Sequence, residues 1–449
     1  MTEDEQGPRA TMKGIAKGWA SRTWATTRAA ASLGRMAARK VVDSAFDLGT
    51  ADEGESDDAN TEALVERLDE MKGLMLKVGQ MLSTLDGAIP EAAQKRLARL
   101  HSQAKPLDWP AIEDVLRTAY GAPPTDVFDQ IETEPFAAAS IGQVHRAKIG
   151  EHSVAVKVQY PGVASTFETD LRNFRALFRI GTLGTALDSQ ALIDEMRDRL
   201  SDECNYQQEA AFQNLFRSIF ADDARVRIPK VHDDLCHRHV LVSELALGKT
   251  FAHFRDTASQ SERNAAGTLL FEFAFRAIFE RCVFNGDPHP GNYLFNADGS
   301  VVFLDFGCVR VFDAAFIDNW KGIARAMLQE DKDAFSLTYA AGGFVGGRGY
   351  DFDAQYEVIR YLYEPMLAKS FQYSHDYVKR SWKVLVMNSN FRKTALPPEW
   401  LLIQRLQWGL NSLLADLGAE GDFRSIFARY VDGPTRPAPR PPAIGSRPL

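Results

Sequence analysis

The sequence is poor in cysteine, and the few it has are scattered. Cys204, Cys236, Cys282 and Cys308 form no C-x-x-C pair and no secretory leader precedes them, which argues against a disulfide framework or a zinc knuckle. A reducing cytoplasm is the expected setting, with the inner-membrane surface as a peripheral location. Long apolar runs are lacking too. A membrane-crossing helix needs about 18 uninterrupted apolar residues, and the best stretch, from Leu269 to Phe284, carries Glu272, Arg276, Glu280 and Arg281. Four charges in hydrocarbon are prohibitive, so this stretch is expected as a helix of a soluble core, ending at Phe284. Positive charge is in deficit: Lys+Arg total 52 against 60 Asp+Glu, a net charge of -8. That balance argues against nucleic acid as a partner.

What is present suits two or three folding units or one two-lobed enzyme: 449 residues, 45% hydrophobic and 25% charged, enough apolar material for a large core. Residues 9–40 hold Arg9, Lys13, Lys17, Arg22, Arg28, Arg35, Arg39 and Lys40 with no acid, interleaved with Trp19 and Trp24. Such a segment is either a solvated helix or one that lies on an anionic membrane surface. An acidic linker, ADEGESDDAN, follows. From Thr61 the apolar residues Leu64, Leu68, Met71, Leu74, Met75, Val78, Met81, Leu82 and Leu85 recur at helical spacing, predicting a long amphipathic helix, and Pro90 opens a second. Past Glu132 short β-rich runs appear: VHRAKI, SVAVKVQY, RIPKVH and HVLVSEL. Beyond Leu247 the pattern is helical, interrupted by YLF and VVFLDF. A small mixed sheet followed by a helical lobe is the coarse outline.

Four motifs stand in the order that protein-kinase-type phosphoryl transfer requires. VAVK ends an alternating strand with Lys157, an ammonium suited to α- and β-phosphates when a helix carboxylate holds it. NGDPHPGN places Asp287 and Asn292 at the D-x-x-x-x-N spacing, the Asp facing an acceptor and the Asn a metal. FLDFG delivers Asp305, a ligand for Mg²⁺ bridging the phosphates. The phosphate-covering loop reads Ala137-Ala138-Ala139-Ser140-Ile141-Gly142-Gln143-Val144, with the third glycine and the valine of G-x-G-x-x-G-x-V kept and alanines at the first two glycines. Alanine Cβ atoms restrict positive φ, so a stiffer loop is expected. No Ala-Pro-Glu occurs after FLDFG, and CVRVFDAAFIDNW runs directly into a helix; without a peptide platform the substrate is expected to be water, a lipid or another small molecule.

PFAAASIGQVHRA, VAVKVQYPGV, NGDPHPGNYLF and FLDFG, with Lys77-Val78-Gly79-Gln80 upstream, resemble the UbiB family of atypical kinases, also called aarF-domain proteins, from about Thr61 to Leu417. The resemblance implies an α+β, protein-kinase-like two-lobed fold with an N-terminal helical KxGQ extension. It implies ATP or ADP with Mg²⁺ as cofactors, and work in support of prenyl-quinone synthesis. By motif, Lys157 pairs with Glu209 and Asp287 takes the catalytic-base position. Asn292 and Asp305 hold metal; Ala137, Ala138, Ala139, Ser140, Gly142, Val144, Lys157 and Glu244 line the nucleotide. Lys77, Gly79 and Gln80, with Glu203, form a gate over the pocket mouth. Two departures stand out: the family's ExD reads Glu203-Cys204-Asn205, and the catalytic loop opens with Asn285 in place of His. Asn285 is expected to keep the loop with a different hydrogen bond.

Other patterns invite blander readings. His232, Cys236, His237 and His239 hold ligand-type side chains but sit at a strand turn. The glycines from Gly342 to Gly347 read as a helix-to-helix loop, His289 as a loop-shaping residue, and the Trp400 to Leu414 helix as core. The expected divisions are 1–60 (basic helix and acidic linker, partly disordered), 61–131 (helical extension), 132–247 (small lobe with helical insert), 248–431 (helical large lobe) and 432–449 (Pro-rich disordered tail). The expected activity is ATP hydrolysis or phosphoryl transfer to a non-protein acceptor; a nucleotide-binding pseudokinase scaffold and a protein kinase are the alternatives.

Overall fold

Two eight-residue strands, β3 (Gly142–Ile149) and β4 (His152–Gln159), follow helix α1 (Trp109–Tyr120) and the short strands β1 (Gln130–Ile131) and β2 (Ala137–Ala139). The computed structural model describes residues 106–139, 141–163, 204–387, 390, 393–395 and 398–441. The basic segment 9–40, the acidic linker, the helices expected between Thr61 and Leu100, Lys77, Gly79, Gln80, Ser140 and Glu203 lie outside them. Apart from Gly162 and Val163, the described residues belong to one compact unit.

Period-2 alternation makes β4: Val154, Val156 and Val158 are fully buried on one face, each contributing about 1.5–3 kcal/mol, while Ala155, Lys157 and Gln159 point the other way. Gly150, in the left-handed region at φ 59°, turns β3 into β4. With β6 (Val240–Glu244) the sheet order is β1-β3-β4-β6, and β2 also pairs with β3. The sheet therefore begins at Gln130, inside the stretch assigned to the helical extension; a two-residue strand carries no readable period. α1 packs on β4, and the segment ahead of it is held by β3. Gln143 accepts from Leu107 N–H at 2.9 Å through Oε1 and donates back to Leu107 O at 3.3 Å. Helix α2 (Tyr206–Ile219) precedes β6 in the chain, separated from it by the two-residue strand β5 (Val226–Arg227).

The large lobe is built on α4 (Gln260–Arg281), which follows β7 (Lys249–Thr250) and α3 (Phe251–Thr257). Ser259 and Glu262 form a reciprocal capping box at its start. Leu269, Phe271, Phe273, Phe275, Ile278 and Phe279 are buried, and the charges that forbid a membrane are used: Glu272 takes Arg225, Arg429 and the Tyr430 hydroxyl, and Arg276 takes Asp222. The helix ends at Arg281, not at Phe284. Cys282 turns into the left-handed region at φ 57°, and Val283–Asn285 becomes strand β8. Downstream come β9 (Tyr293–Phe295), β10 (Val301–Phe303) and β11 (Val309–Val311), the last paired with β8. A second sheet runs β5-β10-β9-β7.

Helices α5 (Ala314–Leu328), α6 (Lys332–Ala341), α7 (Phe352–Leu362), α8 (Glu364–Leu367), α9 (His375–Met387), α10 (Pro398–Leu417) and α11 (Phe423–Asp432) complete the lobe. Trp400, Ile403, Leu410, Leu413 and Leu414 of α10 are buried in its core, as expected. The glycine run is more ordered than a plain loop, since Val345–Gly346 pairs with Thr394–Ala395. The Pro-rich end also departs from expectation over residues 433–441. Arg436 and Ala438 donate backbone N–H groups to the Glu280 and Arg281 carbonyls at the end of α4, and Lys321 donates to Gly433 O and Thr435 Oγ1. Proline removes its own donor but leaves neighbouring amides able to cap carbonyls that a helix end lacks partners for. Among the described residues no helix is long and apolar enough to cross a membrane.

Candidate functional site

Strand register assembles one side of the site. Ala137 pairs with Val144, Val144 with Lys157 and Lys157 with Leu241, a row of side chains on one face. The next row on that face is Ala139, Gly142 and Gln159. Ala137, Ala138 and Ala139 are strand residues, and none has positive φ; the alanines extend β2 where glycines would have made a flexible loop. Gly142 is required by close approach: a Cβ there would lie 2.3 Å from Val158 O. Glu244 stands three register positions from Lys157, opposite Val154, its carboxylate 3.4 Å from Lys230 N–H. It is not part of the charged cluster.

α2 brings the carboxylate. Asn205 caps it by accepting from Gln208 N–H at 3.2 Å, so the amide in place of an acid has a structural use. Tyr206 and Glu209 follow at i, i+3 on one face. Lys157 Nζ donates to Glu209 Oε1 at 2.8 Å and Oε2 at 3.0 Å, lies 3.7 Å from Asp305 Oδ2 and sits 4.9 Å over the Tyr206 ring. Burial alone would lower the Lys157 pKa; Asp305 and Glu209 outweigh it and hold the ammonium well above the ordinary lysine value.

The large lobe presents Asp305 from below. Phe306 is fully buried with its ring 5.0 Å from Phe216 of α2, which also stacks on Phe273 of α4. Aromatic packing thus ties the helix carrying Glu209 to the segment carrying Asp305. Gly307 N–H donates to Asp305 Oδ1 at 2.9 Å. The loop of Asp287 is hung from the segment between β10 and β11 that carries Asp305: Asn285 Nδ2 donates to Asp305 O at 2.6 Å, Gly286 N–H to Cys308 O at 2.9 Å, and Leu304 N–H to Asn292 O at 3.0 Å. Asn285 does supply the expected hydrogen bond. His289 shapes the loop by accepting from Gly291 N–H at 3.1 Å. Pro288 rests on α10 where Gly409 leaves room; a Cβ there would lie 2.3 Å from the proline ring. Burial, then the charges of Asp287 and Asp305, push the Tyr293 phenol up.

The donor chemistry fits Mg²⁺. Asn292 Nδ2 donates to Asp287 O at 2.9 Å, which leaves its Oδ1 as the atom to meet a cation, and Asp305 adds carboxylate oxygen; hard oxygen ligands are what Mg²⁺ takes. The histidine and cysteine run is spent elsewhere. Burial pushes the Cys236 thiol up to about 12, His237 packs edge-on against Tyr120 and His239 Nδ1 meets Gln159 Oε1 at 2.6 Å. Among the described residues no three His, Cys, Asp or Glu gather as a metal site. Sequence reasoning overlooked Tyr206, although its i, i+3 spacing to Glu209 was a usable signal, and Gln159, two positions beyond Lys157 on the same face.

Residues 99–337 match the model of the ABC1 atypical kinase-like domain. The chain belongs to the ABC1 (UbiB) family of atypical kinases. Rat mitochondrial atypical kinase COQ8B is 33% identical over 327 residues, covering 71% of this chain and 61% of that protein. The Caenorhabditis elegans mitochondrial atypical kinase coq-8 is 30% identical over 395 residues, covering 84% and 52%. The chain thus spans roughly half to three-fifths of these relatives' length. Among solved structures, an Rv3197–erythromycin complex from Mycobacterium tuberculosis superposes with TM-score 0.61 at 28% identity, covering 83% of this chain and 100% of that one. The α+β, kinase-like ABC1 fold is thereby established, and membership of that family implies nucleotide binding.

Proposed function

We propose that this ABC1 protein is a Mg²⁺-dependent ATPase or phosphotransferase acting on a non-protein acceptor, in support of prenyl-quinone or related lipid metabolism. The observation that carries the reading is the convergence of Lys157, Glu209 and Asp305 from three separate chain segments. Glu209 orients the ammonium, and Lys157 neutralises phosphate charge. Asp305 and Asn292 would hold the metal, which when bound offsets charge developing on the transferred group. Asp287, on a loop pinned to the segment that carries Asp305, would orient the acceptor or water. The direct passage from β11 into α5, with no peptide platform between, supports a small acceptor. Mitochondrial COQ8-named relatives support the link to quinone synthesis.

The test is turnover of MgATP by the full chain, with and without anionic liposomes, beside Asp305→Asn. Loss of a metal ligand worth several kcal/mol should cut turnover by at least about a hundredfold. Full Mg²⁺-dependent turnover in the variant would overturn the assignment. Nucleotide binding without hydrolysis under every condition would select a pseudokinase scaffold.

A further inference from the structure

The Lys157 ammonium is held from three sides, and only two of the contacts are carboxylates. Glu209 takes it with both oxygens at 2.8 and 3.0 Å, Asp305 Oδ2 stands farther off at 3.7 Å, and the third contact is the face of the Tyr206 ring, its centre 4.9 Å from Nζ. Tyr206 and Glu209 lie three positions apart on α2, so one helical turn carries both. That turn is anchored by its backbone. Asn205 caps it, and Tyr206 N–H donates to Arg238 O at 3.1 Å. The ring is held as well: Tyr206 is 1% exposed, and its hydroxyl lies 2.8 Å from where a Gly142 Cβ would be, which wedges the side chain between β3 and the ammonium.

The charge count explains why a ring stands here. One ammonium already faces two carboxylates, and a third acid would leave it over-neutralised and a poor partner for phosphate. A neutral π face attracts the cation without adding net negative charge. Burial raises the Tyr206 pKa, so the phenol keeps its proton. Its hydroxyl has no hydrogen-bond partner among the described residues, so the ring face is the contact that acts on Lys157. With Asp305 given over to the metal, Glu209 and the ring are what remain on the ammonium.

We propose that Tyr206 is a positioning residue, its ring face fixing the Lys157 ammonium against Glu209 where phosphate charge has to be met. This rests on the phosphoryl-transfer reading above and deepens it. Tyr206 acts through Lys157 and is assigned no contact with the reacting atoms.

Two measurements on the full chain test it: MgATP turnover, and urea unfolding without metal or nucleotide. The variants are Tyr206→Leu, Tyr206→Phe and chains carrying mono-, di- and trifluorinated phenylalanine at position 206. Ring fluorines withdraw electrons from the π face and barely change its shape, so a packing role alone would leave that series flat. Tyr206→Leu should lower kcat/KM for MgATP about tenfold, the scale of one partly desolvated cation–π contact. Tyr206→Phe, which keeps the ring, should restore most of the loss, and successive fluorines should remove it again in steps. In unfolding, Lys157→Met should shift the equilibrium constant about threefold more in wild type than in Tyr206→Leu, where the ring contact is already gone. If Tyr206→Leu does not fold, the fluorinated series decides alone. A flat series in an active enzyme overturns the proposal, as does strict additivity of Lys157→Met and Tyr206→Leu. Coupled unfolding in a chain without turnover overturns the phosphoryl-transfer reading instead, and the functional role of Tyr206 with it.

Discussion

Lys157 and Glu209 meet in a two-pronged ion pair, 2.8 and 3.0 Å, across which the small-lobe sheet is coupled to α2. Glu209 is 2% exposed, so the pair is a stability determinant as well as part of the proposed site. Lys157→Met removes the cation from a buried carboxylate and should cost about 3 kcal/mol. Urea unfolding of wild type and variant checks this. Lys157→Met with Glu209→Gln should recover part of the loss, because no charge is left stranded. A single variant as stable as wild type would show that the pair contributes little.

Gly409 sets two effects against each other. Alanine is favoured over glycine inside a helix by about 1 kcal/mol, so helix propensity alone makes Gly409→Ala stabilising for α10. Its Cβ would fall 2.3 Å from the Pro288 ring, a contact relieved only by moving the loop that carries Asp287. The expected outcome is a folded protein with thermal stability near wild type and turnover reduced about tenfold or more, since small misplacement of reacting groups is expensive in rate. Unchanged kcat would mean that the loop position is not coupled to α10.

The charged cluster was largely legible in the sequence, and its surroundings were not. Lys157 lies on a clean alternating strand, and Asp287, Asn292 and Asp305 stand out by their spacing. Tyr206 escaped notice because an aromatic residue in an amphipathic helix reads as core, and nothing local says that its hydroxyl is left unpaired. The β8–β11 pair escaped because three-residue strands have no period, while the apolar run through Cys282 reads as continuous helix. Gln143 and Leu107 are 36 positions apart, a long-range exchange between side chain and backbone that no window can reveal. The docked residues 433–441 were misjudged because composition reports what a segment cannot build for itself, not which carbonyls it can cap.

Acid should weaken the attachment of the segment before α1. His145 Nδ1–H donates to Glu132 O at 2.7 Å, and its Nε2 accepts from Gln143 Nε2 at 2.9 Å, an arrangement that needs the neutral ring. Burial lowers the His145 pKa; burial and Arg238 do the same for His239. A depressed histidine binds its proton more readily unfolded, so stability is fully present above the usual histidine value of about 6.5 and declines as pH falls below it. Each unit of depression contributes about 1.4 kcal/mol. Urea unfolding between pH 8 and 5 should show that decline, and His145→Phe should flatten it. A slope identical in the variant would assign the effect elsewhere.

Removing residues 433–449 tests whether the chain's end supports the Asp287 loop. Lys321, buried on α5, donates to Gly433 O at 2.8 Å and Thr435 Oγ1 at 3.0 Å, and Arg436 and Ala438 cap the last carbonyls of α4. From that helix end the chain passes through Cys282 into β8 and then to Asp287, so slack at Arg281 is transmitted to the loop. Truncation should lower stability by about 2 kcal/mol, the scale of a few lost hydrogen bonds and one exposed apolar contact at Ala438. Amide exchange over residues 282–292 should quicken more than over β3 and β4, because the sheet makes no part of this contact. Equal quickening across both lobes would indicate general destabilisation and sink the idea of a local support.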